Sequence, residues 1–461
     1  MSSPWDVVEY ADVRELRGPL LVVGGVQGVG WDEFARVWLP SGAIRSGLVL
    51  EVNRDLAVVQ VLEGTEGLDL ADTAVSFLGE PLTIPVGEGW LGRVCNGRGE
   101  PLDGGPPVLG TERRPVSGRP LNPTRREPPA DPVLTGLSGL DALTLLVRGQ
   151  KLPIFSVAGL PHLELAAQIA AQAQVGDEPF AVVFAAMGLT HADAAVVRDV
   201  LEERSAVGDL LLLLNTADDP VIERLTTPRI ALTVAEHLAF TARRHVLVVL
   251  ADMTSYAEAL REVSSARGEI PARQAYPGYL YSDLASLYER CGRVYGIPGS
   301  VTVLPVLTMP AGDITHPVPD LTGYITEGQI VLSPEVHTRG IYPPLDPLSS
   351  LSRLMRHGAG AGRTRVDHLD LAAQVLSAVA RSRQVRELAD LIGVDALSDT
   401  DRTYLRFEEV FEQRLLDQRR NENRGLDDTL DRAWEAACVL PRRELTMLSS
   451  DLLDRHRPER G

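Results

Sequence analysis

The chain is poor in cysteine and carries no grouped metal-binding motif. Its three cysteines, Cys95, Cys291 and Cys438, lie far apart and form no CxxC pair. An odd, sparse set of this kind provides no disulfide framework and fits a reducing compartment. The nine histidines form neither an HExxH pair nor a cluster with cysteine. The sequence therefore predicts no metal site built from protein ligands.

Long apolar runs and an excess of positive charge are missing as well. No run reaches the ~18 apolar residues of a membrane-spanning helix. The acidic start, MSSPWDVVEYADV, lacks the basic region of a signal peptide, so we expect no signal peptide and contact with a membrane only through partners. The formal net charge of −18 argues against binding to nucleic acid, because no basic face is visible that could neutralise phosphates. Lysine is scarce relative to arginine, which we attribute to genomic composition.

The first part of the chain has the pattern of a small β-barrel. Between Tyr10 and Leu78, short valine-rich runs alternate with turn residues at a spacing of roughly ten residues. This pattern predicts a closed antiparallel barrel, with an irregular β-sandwich as the alternative. A stretch rich in glycine and proline, Gly92–Val108, and the loop Gly118–Pro132 follow. We predict a domain junction with long surface connections there.

From Thr135 to about Gly340, helical and strand patterns alternate. Apolar runs separated by segments of helical periodicity predict βαβ units and a mostly parallel sheet with helices on both faces. The predicted strands are Ala181–Ala185, Leu210–Asn215, His245–Ala251 and Val301–Thr308, and the predicted helices are Leu163–Gln174, Thr190–Arg204, Val234–Thr241, Tyr256–Ala266 and Ser282–Gly292.

Beyond the flexible stretch Gly358–Gly362, the pattern is almost wholly helical. The segments Leu369–Ala389, Asp399–Asp417 and Leu426–Ala437 carry apolar residues at helical spacing, which predicts a C-terminal helical bundle. Charge clusters such as Asp417–Arg420 indicate solvated faces, with a partner surface as the alternative. The predicted domains are residues 1–78, 79–357 and 358–461.

The stretch Phe155–Glu164, FSVAGLPHLE, has the layout of a phosphate-binding loop. A hydrophobic strand, Leu152–Phe155, leads in, a turn containing Gly159 follows, and a helix-forming segment, Leu165–Ala173, leads out. This strand–loop–helix order is the one that a Walker A site requires. This order therefore predicts a P-loop-like (RecA-like) α/β domain between the β-barrel and the helical bundle. An ordinary strand–turn–helix of an α/β core is the alternative.

The loop has lost the side chains that bind phosphate. Laid over G-x-x-x-x-G-K-[ST], it has Ser156 at the first glycine and Pro161 at the second, and proline offers no N–H. His162 replaces the lysine, and a histidine is shorter and mostly neutral near pH 7. Leu163 replaces the Ser/Thr and cannot ligate Mg²⁺, and Glu164 adds a charge that repels phosphate. We expect weak nucleotide binding or none at this vestigial loop.

Asp252 ends the apolar run HVLVVLAD, at the predicted carboxyl end of a core strand. In a P-loop enzyme, the carboxylate that orients Mg²⁺ stands at this place. The alternative is a helix cap, because Asp252 followed by Met-Thr-Ser opens a helix well. Without a competent phosphate loop, the cap is the interpretation that we favour.

Sequence blocks spread over nearly the whole chain are similar to those of one family. They include EGTEGLDL, LGRVCNGRGEPLDGG, LVRGQKLPIFS, GLPHLELAAQIA, PGYLYSDLASLYERCGRV and IYPPLDPLSSLSRLM. In these blocks the chain resembles the non-catalytic B subunits of the V/A-type rotary ATPases. Two positions depart from the family pattern, since Leu163 stands where asparagine is usual and Val157 where a small residue is usual. Both make the vestigial loop a poorer phosphate pocket.

The resemblance implies a regulatory, non-catalytic subunit of a proton-translocating rotary ATPase or ATP synthase. Such heads are hexamers of alternating A and B subunits around a rotating stalk, with catalytic sites at the interfaces. The catalytic A subunit supplies the phosphate loop, so Mg-ATP or Mg-ADP is expected at the interface and no cofactor on this chain alone. The central rotor stalk, faced by the helical bundle, and the peripheral stalk subunits are further expected partners. The expected place of the complex is the cytoplasmic face of the membrane.

Arg353 is the residue to which the resemblance assigns a chemical role. The stretch PPLDPLSSLSR, Pro343–Arg353, resembles a signature of rotary ATPase head subunits, and in the non-catalytic ones the arginine after the last serine acts as an arginine finger. Ser350 and Ser352 are expected to shape the turn. No general base is expected, because Met187 stands where a catalytic subunit carries its glutamate. A surface arginine that pairs with a helix C-terminus is the alternative for Arg353.

Two other functions stay open on the sequence. One is an autonomous nucleotide-binding NTPase that uses Asp252 and an unconventional phosphate loop, and residues 161–163 count against it. The other is a purely structural ring protein in which Arg353 has no chemical role. ATPase activity of the purified chain would distinguish the first of these from a non-catalytic B subunit.

Overall fold

The computed structural model describes residues 8–456, without the side chains of residues 203, 205 and 206. A β-barrel, a mostly parallel sheet covered by helices, and a helical bundle follow one another along the chain. This order confirms the predicted fold class. The boundaries of the three domains stay predictions. The first seven residues, which belong to the segment predicted not to be a signal peptide, lie outside the described residues.

An antiparallel sheet of seven strands forms the barrel. Its strands are β1 (Glu9–Tyr10), β2 (Val13–Arg17), β3 (Leu20–Gly24), β4 (Glu33–Trp38), β5 (Ile44–Asn53), β6 (Leu56–Val61) and β7 (Ala74–Pro81). Across the sheet they are ordered β1-β7-β4-β5-β6-β3-β2, so the two edge strands are consecutive in sequence. Only residues 11 and 12 separate these edge strands along the chain, so the two edges of the sheet lie close together, as in a barrel.

Alternating side chains build the barrel core. In β4, Ala35 and Val37 are buried while Arg36 between them is exposed. Successive side chains of a strand point to opposite faces, so apolar residues two positions apart line the same interior. Val59 of β6 and Val75 of β7 are fully buried in the same cluster, although β4 and β5 lie between these strands in the sheet.

A ten-stranded sheet forms the centre of the molecule. The strands after the barrel are β8 (Thr83–Val86), β9 (Val94–Asn96), β10 (Glu112–Pro115), β11 (Arg126–Glu127), β12 (Pro132–Val133), β13 (Leu146–Val147), β14 (Ile154–Ser156), β15 (Phe180–Leu189), β16 (Leu210–Thr216), β17 (His245–Ala251), β18 (Gly292–Val294), β19 (Ile297–Thr308), β20 (Gly328–Val331) and β21 (Leu351–Ser352). The main path of the central sheet is β21-β20-β14-β19-β17-β15-β16-β9. Every neighbouring pair from β20 to β9 is parallel, and β21 is an antiparallel edge strand.

Helices cover both faces of this sheet, so its strands are apolar on both sides. In β15, Val183 and Ala185 belong to one buried cluster, and Val182 and Phe184 belong to the other. Such strands are continuous apolar runs, which is typical of parallel sheets buried on both faces.

The helices of the central region lie between these strands. They are α1 (Ser138–Leu143), α2 (His162–Gln172), α3 (His191–Val207), α4 (Val221–Phe240), α5 (Met253–Ala266), α6 (Leu280–Tyr288), α7 (Pro317–Ile325), α8 (Pro334–Thr338) and α9 (Met355–Gly358). The predicted helix Val234–Thr241 was wrong in its start, because α4 begins at Val221 and contains Pro228. An interior proline costs a helix about 3 kcal/mol. Burial of Ile230 and Leu232, both at most 1% exposed, offsets that cost.

Part of the predicted junction belongs to the central sheet. Within Gly92–Val108, the three residues of β9 pair in parallel with β16 and form the edge of the sheet. The prediction of surface connections was wrong for these residues. The strand is short and flanked by turn-forming glycines, so no apolar run reveals it in the sequence.

The last part of the chain is the predicted helical bundle. Its helices are α10 (His368–Ile392), α11 (Asp399–Phe411), α12 (Leu426–Ala437) and α13 (Ser450–His456). The segment predicted to be helical up to Asp417 is α-helical only to Phe411, and a π-helical turn, Glu412–Leu416, follows. Phe407 and Trp434 are buried in the shared core of the bundle. Among the described residues, no helix is long and apolar enough to cross a membrane.

Candidate functional site

The vestigial loop lies between β14 and α2, where the sequence places it. Ser156 ends β14 and is fully buried. Gly159 has a φ of +89°, a left-handed conformation that glycine adopts without strain. Pro161 occupies the N-cap of α2, and its side chain forms no capping hydrogen bond. The loop therefore keeps the turn of a phosphate loop but offers fewer N–H donors to an anion.

The His162 imidazole is tied to the loop itself. Its Nδ1 lies 2.9 Å from the Leu160 carbonyl oxygen, which can only accept, so this contact places a proton on Nδ1. Its Nε2 lies 3.4 Å from the Thr308 hydroxyl. Next to it, Leu163 packs partly buried against the apolar core. Neither side chain offers the ammonium or the hydroxyl with which a working loop binds phosphate and Mg²⁺.

Asp252 acts as the N-cap of α5. One carboxylate oxygen accepts the Thr254 N–H at 2.5 Å, and the other accepts the Thr308 hydroxyl at 2.5 Å. The residue is 7% exposed. Both oxygens are thus used within the fold, which favours the cap over an Mg²⁺-orienting role. Among the described residues, no cluster of histidine, cysteine or acidic side chains is arranged to hold a metal ion.

An ion pair lies across the cleft in front of the loop. The cleft has a volume of about 470 Å³ and is lined by Glu164 from α2 and Arg420 from the C-terminal region. The Arg420 guanidinium pairs with the Glu164 carboxylate and lies 5.3 Å from the centre of the Tyr342 ring. Arg420 was predicted only as part of a solvated or partner-binding charge cluster. Its contact with the loop was missed, because nothing in the local sequence links it to Glu164.

Arg353 directly follows the edge strand β21 and is exposed. Its backbone N–H donates to the Glu327 carbonyl oxygen at 3.0 Å. Within the part of the chain that the structure describes, no hydrogen bond or ion pair holds its guanidinium. The hydroxyls of the two serines before it bond to neighbouring backbone groups. The Ser350 hydroxyl oxygen accepts the Val331 N–H at 2.9 Å, and the Ser352 hydroxyl donates to the Leu145 carbonyl oxygen at 3.0 Å.

Strand polarity keeps Arg353 apart from the vestigial loop. Ser352 in β21 pairs with Gly328, the first residue of β20, in an antiparallel register. β20 runs parallel to β14, whose last residue, Ser156, leads into the loop. Arg353 therefore lies at the amino end of these parallel strands, and the loop lies at their carboxyl end. The residues that the structure gathers at the loop cleft are Gly159, Pro161, His162, Leu163 and Asp252, with Ser156 buried behind them.

The vestigial loop lacks the groups with which a phosphate loop binds Mg-nucleotide, and Arg353 is exposed at the other end of the strands. The loop has neither a free cation nor a Mg²⁺ ligand at the positions of the lysine and the hydroxyl. Met187, at the end of β15, is fully buried and provides no general base. The exposed guanidinium of Arg353 is free to contact an anion on another protein chain.

Comparison with known proteins identifies the family. Residues 13–79 match the family model described as the β-barrel domain of the ATP synthase alpha/beta family, residues 136–352 match its nucleotide-binding domain, and residues 357–457 match the C-terminal domain of V and A type ATP synthase. The chain is 54% identical over 455 residues to the B subunit of the A-type ATP synthase of Aeropyrum pernix, covering 98% of both proteins. The structure of the ATP synthase protein NeqB from Nanoarcheaum equitans is similar to it, with a TM-score of 0.72 and 36% identity over 91% of this chain and 98% of that one. These matches confirm the resemblance, and the chain belongs to the ATP synthase alpha/beta family as one of the B subunits of the V/A-type rotary ATPases.

Proposed function

We propose that this protein forms the non-catalytic wall of an ATP site whose phosphate loop belongs to the catalytic A subunit, and that Arg353 enters that site as an arginine finger. The observation that supports this proposal is the position of Arg353. Its guanidinium is exposed at the edge of the central sheet and has no partner among the described residues, whereas the half-buried Arg126 and the buried Arg290 each pair with a carboxylate.

The physical basis is the geometry of the guanidinium. It is planar and permanently charged, so it can bridge two phosphate oxygens with parallel hydrogen bonds in a site from which water is excluded. It stabilises the charge that develops on the transferred phosphoryl group. In comparable enzymes, such a residue contributes roughly 10³–10⁵ in rate.

As a component of an ATP synthase, the chain belongs to a multi-subunit complex. Within it, we assign Mg-ATP or Mg-ADP to the interface with the A subunit and no cofactor to this chain alone. An alternating A–B hexamer provides that interface. The helical bundle from residue 358 onward faces the central rotor stalk, and peripheral stalk subunits contact the head. The complex sits on the cytoplasmic face of the membrane and couples ATP synthesis or hydrolysis to proton movement.

The test compares Arg353→Ala and Arg353→Lys in the reconstituted A–B complex. Both should lower ATP turnover by about 10³-fold or more, which is roughly 4 kcal/mol in the barrier. Lysine should fail almost as badly as alanine because it keeps the charge but loses the two-pronged contact. ATP affinity should change much less, because the finger acts on charge developed in the transition state.

Arg356→Ala is the matched control. Arg356 is also exposed and lies three residues further along the same segment, so its removal should leave turnover near normal. Near-normal turnover in Arg353→Lys would instead support a purely structural ring protein. Substantial ATPase activity of the purified chain alone would support an autonomous NTPase.

A further inference from the structure

Gln150 is a fully buried amide that contacts the strand leading to Arg353. Its Nε2 donates to the Ser352 hydroxyl oxygen at 3.0 Å and to the Glu327 carbonyl oxygen at 3.1 Å. Its Oε1 accepts the Val147 N–H at 3.0 Å. Burying an amide costs free energy unless its hydrogen bonds are made, and these three contacts satisfy both amide hydrogens and the oxygen.

Gln150 constrains Arg353 from two sides. One contact is with Ser352, the residue immediately before Arg353. The other is with the Glu327 carbonyl oxygen, which also accepts the backbone N–H of Arg353 at 3.0 Å. β21 pairs with β20 over only two residue pairs, so its ladder supplies few hydrogen bonds. The bonds from Gln150 therefore add to the few hydrogen bonds that constrain the backbone of Arg353.

A charge network fixes Glu327 in turn. One of its carboxylate oxygens accepts the Lys151 N–H at 2.8 Å, and the other lies 2.9 Å from Lys151 Nζ. The same Nζ lies 2.9 Å from the Glu289 carboxylate. Lys151 is 3% exposed and is the single lysine of the chain. The Glu327 carbonyl oxygen thus accepts from both Gln150 and Arg353, while the Glu327 carboxylate is held by the buried ammonium of Lys151.

We propose that Gln150 is a positioning residue for Arg353, which sets the place from which the guanidinium reaches the neighbouring A subunit. This inference rests on the proposed function of Arg353. Gln150 touches no substrate and acts on Arg353 through the Ser352 hydroxyl and the Glu327 carbonyl oxygen. Misplacing a group by about 1 Å can lower a rate by roughly 10²-fold, so a loosened Arg353 should slow turnover. Binding of ATP by the partner's phosphate loop should change little.

The experiment uses a double-mutant cycle in the assembled A–B complex. Gln150→Leu should lower kcat by roughly 10- to 100-fold and change KM for ATP by less than about threefold. In the Arg353→Ala background, Gln150→Leu should lower kcat no further, because no finger remains to be positioned. A loss of the same size in both backgrounds would overturn the proposal, since it would show that Gln150 acts independently of Arg353.

Gln374→Leu is the matched control for loss of a buried amide. Gln374 is 3% exposed, donates to the Glu444 carbonyl oxygen at 3.2 Å and accepts the Met447 N–H at 3.0 Å. It makes the same kind of bridge within the helical bundle, so its removal should leave kcat within about threefold of the wild type. Equal losses of kcat in both glutamine variants would point to general destabilisation and overturn the proposal.

If Gln150→Leu does not fold, a second variant and a second measurement still test the proposal. Ser352→Ala removes the hydroxyl that accepts from Gln150, together with its hydrogen bond to the Leu145 carbonyl oxygen, and should lower kcat in the same non-additive way. In the folded chain, either variant should speed hydrogen exchange of the Arg353 amide by about tenfold or more; unchanged exchange would overturn the proposal. Normal turnover in Arg353→Ala would refute the proposed function itself. Impaired Arg353→Ala beside unimpaired Gln150→Leu and Ser352→Ala would refute only this inference.

Discussion

Replacing Arg290 with methionine should destabilise the central domain strongly, because all five N–H donors of this buried guanidinium are used. Nε and Nη2 donate to the Glu236 carboxylate at 2.7 and 2.9 Å. Nη1 donates to the carbonyl oxygens of Val116 and Arg229 at 3.1 and 3.3 Å. Nη2 also donates to the Thr233 hydroxyl oxygen at 2.8 Å. The side chain thus ties α4 to the segment that enters from the barrel.

The size of the effect follows from what the substitution leaves behind. Methionine fills much of the space but leaves the Glu236 carboxylate unpaired, and the Glu236 side chain is only 16% exposed. Breaking a buried ion pair from one side costs about 3–5 kcal/mol, and we take about 3 kcal/mol because Glu236 keeps some contact with water. For a domain of this size each kcal/mol lowers Tm by about 2–4 °C, so Tm should fall by roughly 6–12 °C.

Calorimetry of the isolated chain gives Tm, and urea unfolding at constant m gives the free energy of unfolding. The control is Arg17→Met, which removes an arginine that pairs with Glu15 while their side chains are 58% and 44% exposed. This control substitution should lower the free energy of unfolding by less than about 0.5 kcal/mol. The reasoning would be refuted if Arg290→Met lowered the free energy of unfolding by less than about 1 kcal/mol, or by no more than the control does.

Three further outcomes are expected of the isolated chain. Calorimetry should detect no sub-micromolar Mg-ATP site, whereas the combined variant Pro161→Gly, His162→Lys, Leu163→Thr should bind Mg-ATP more tightly. Tight binding of Mg-ATP by the wild type would contradict the conclusion that the vestigial loop has lost its phosphate-binding groups. Light scattering should show a monomer or weak self-association, since each interface of an alternating ring is built for the A subunit, and a stable hexamer of this chain alone would contradict this. Burial lowers the pKa of His368, so protonation favours the unfolded chain and the free energy of unfolding should fall as pH drops below about 6.5. His368→Gln should reduce that fall between pH 7.5 and 5.5 in urea titrations, and an unchanged pH dependence would exclude His368 as a cause.

The sequence predicts the fold well where burial follows a simple period. Alternation in β4 and the continuous apolar run of β15 point directly to a barrel wall and a doubly covered sheet. It fails where packing overrides local preference. Pro228 marks a helix end by its chemistry, yet it lies inside α4 because the surrounding residues are buried. β9 owes its strand conformation to pairing with β16, which no local pattern shows.

In the candidate site, too, some features can be predicted from the sequence and others cannot. The loss of phosphate-binding chemistry is predictable because each replacement in the vestigial loop changes a functional group at a known position. The contact between Arg420 and Glu164, and the bridge from Gln150 to Glu327, join residues far apart in the chain. Such contacts depend on how the sheet and the helical bundle pack, so side-chain chemistry alone does not predict them.

The burial of Lys151 has a consequence for how the surface of this protein responds to chemical modification. With its single lysine held between Glu289 and Glu327, every positively charged side chain on the surface, apart from protonated histidine, is an arginine. Guanidinium groups stay charged at any pH that a cell meets. Acetylation and methylation of lysine, which change the charge or hydrogen bonding of many proteins, therefore have no exposed side-chain target here. The positive charges that this chain presents to its neighbours are set by its sequence and are not adjusted by lysine chemistry.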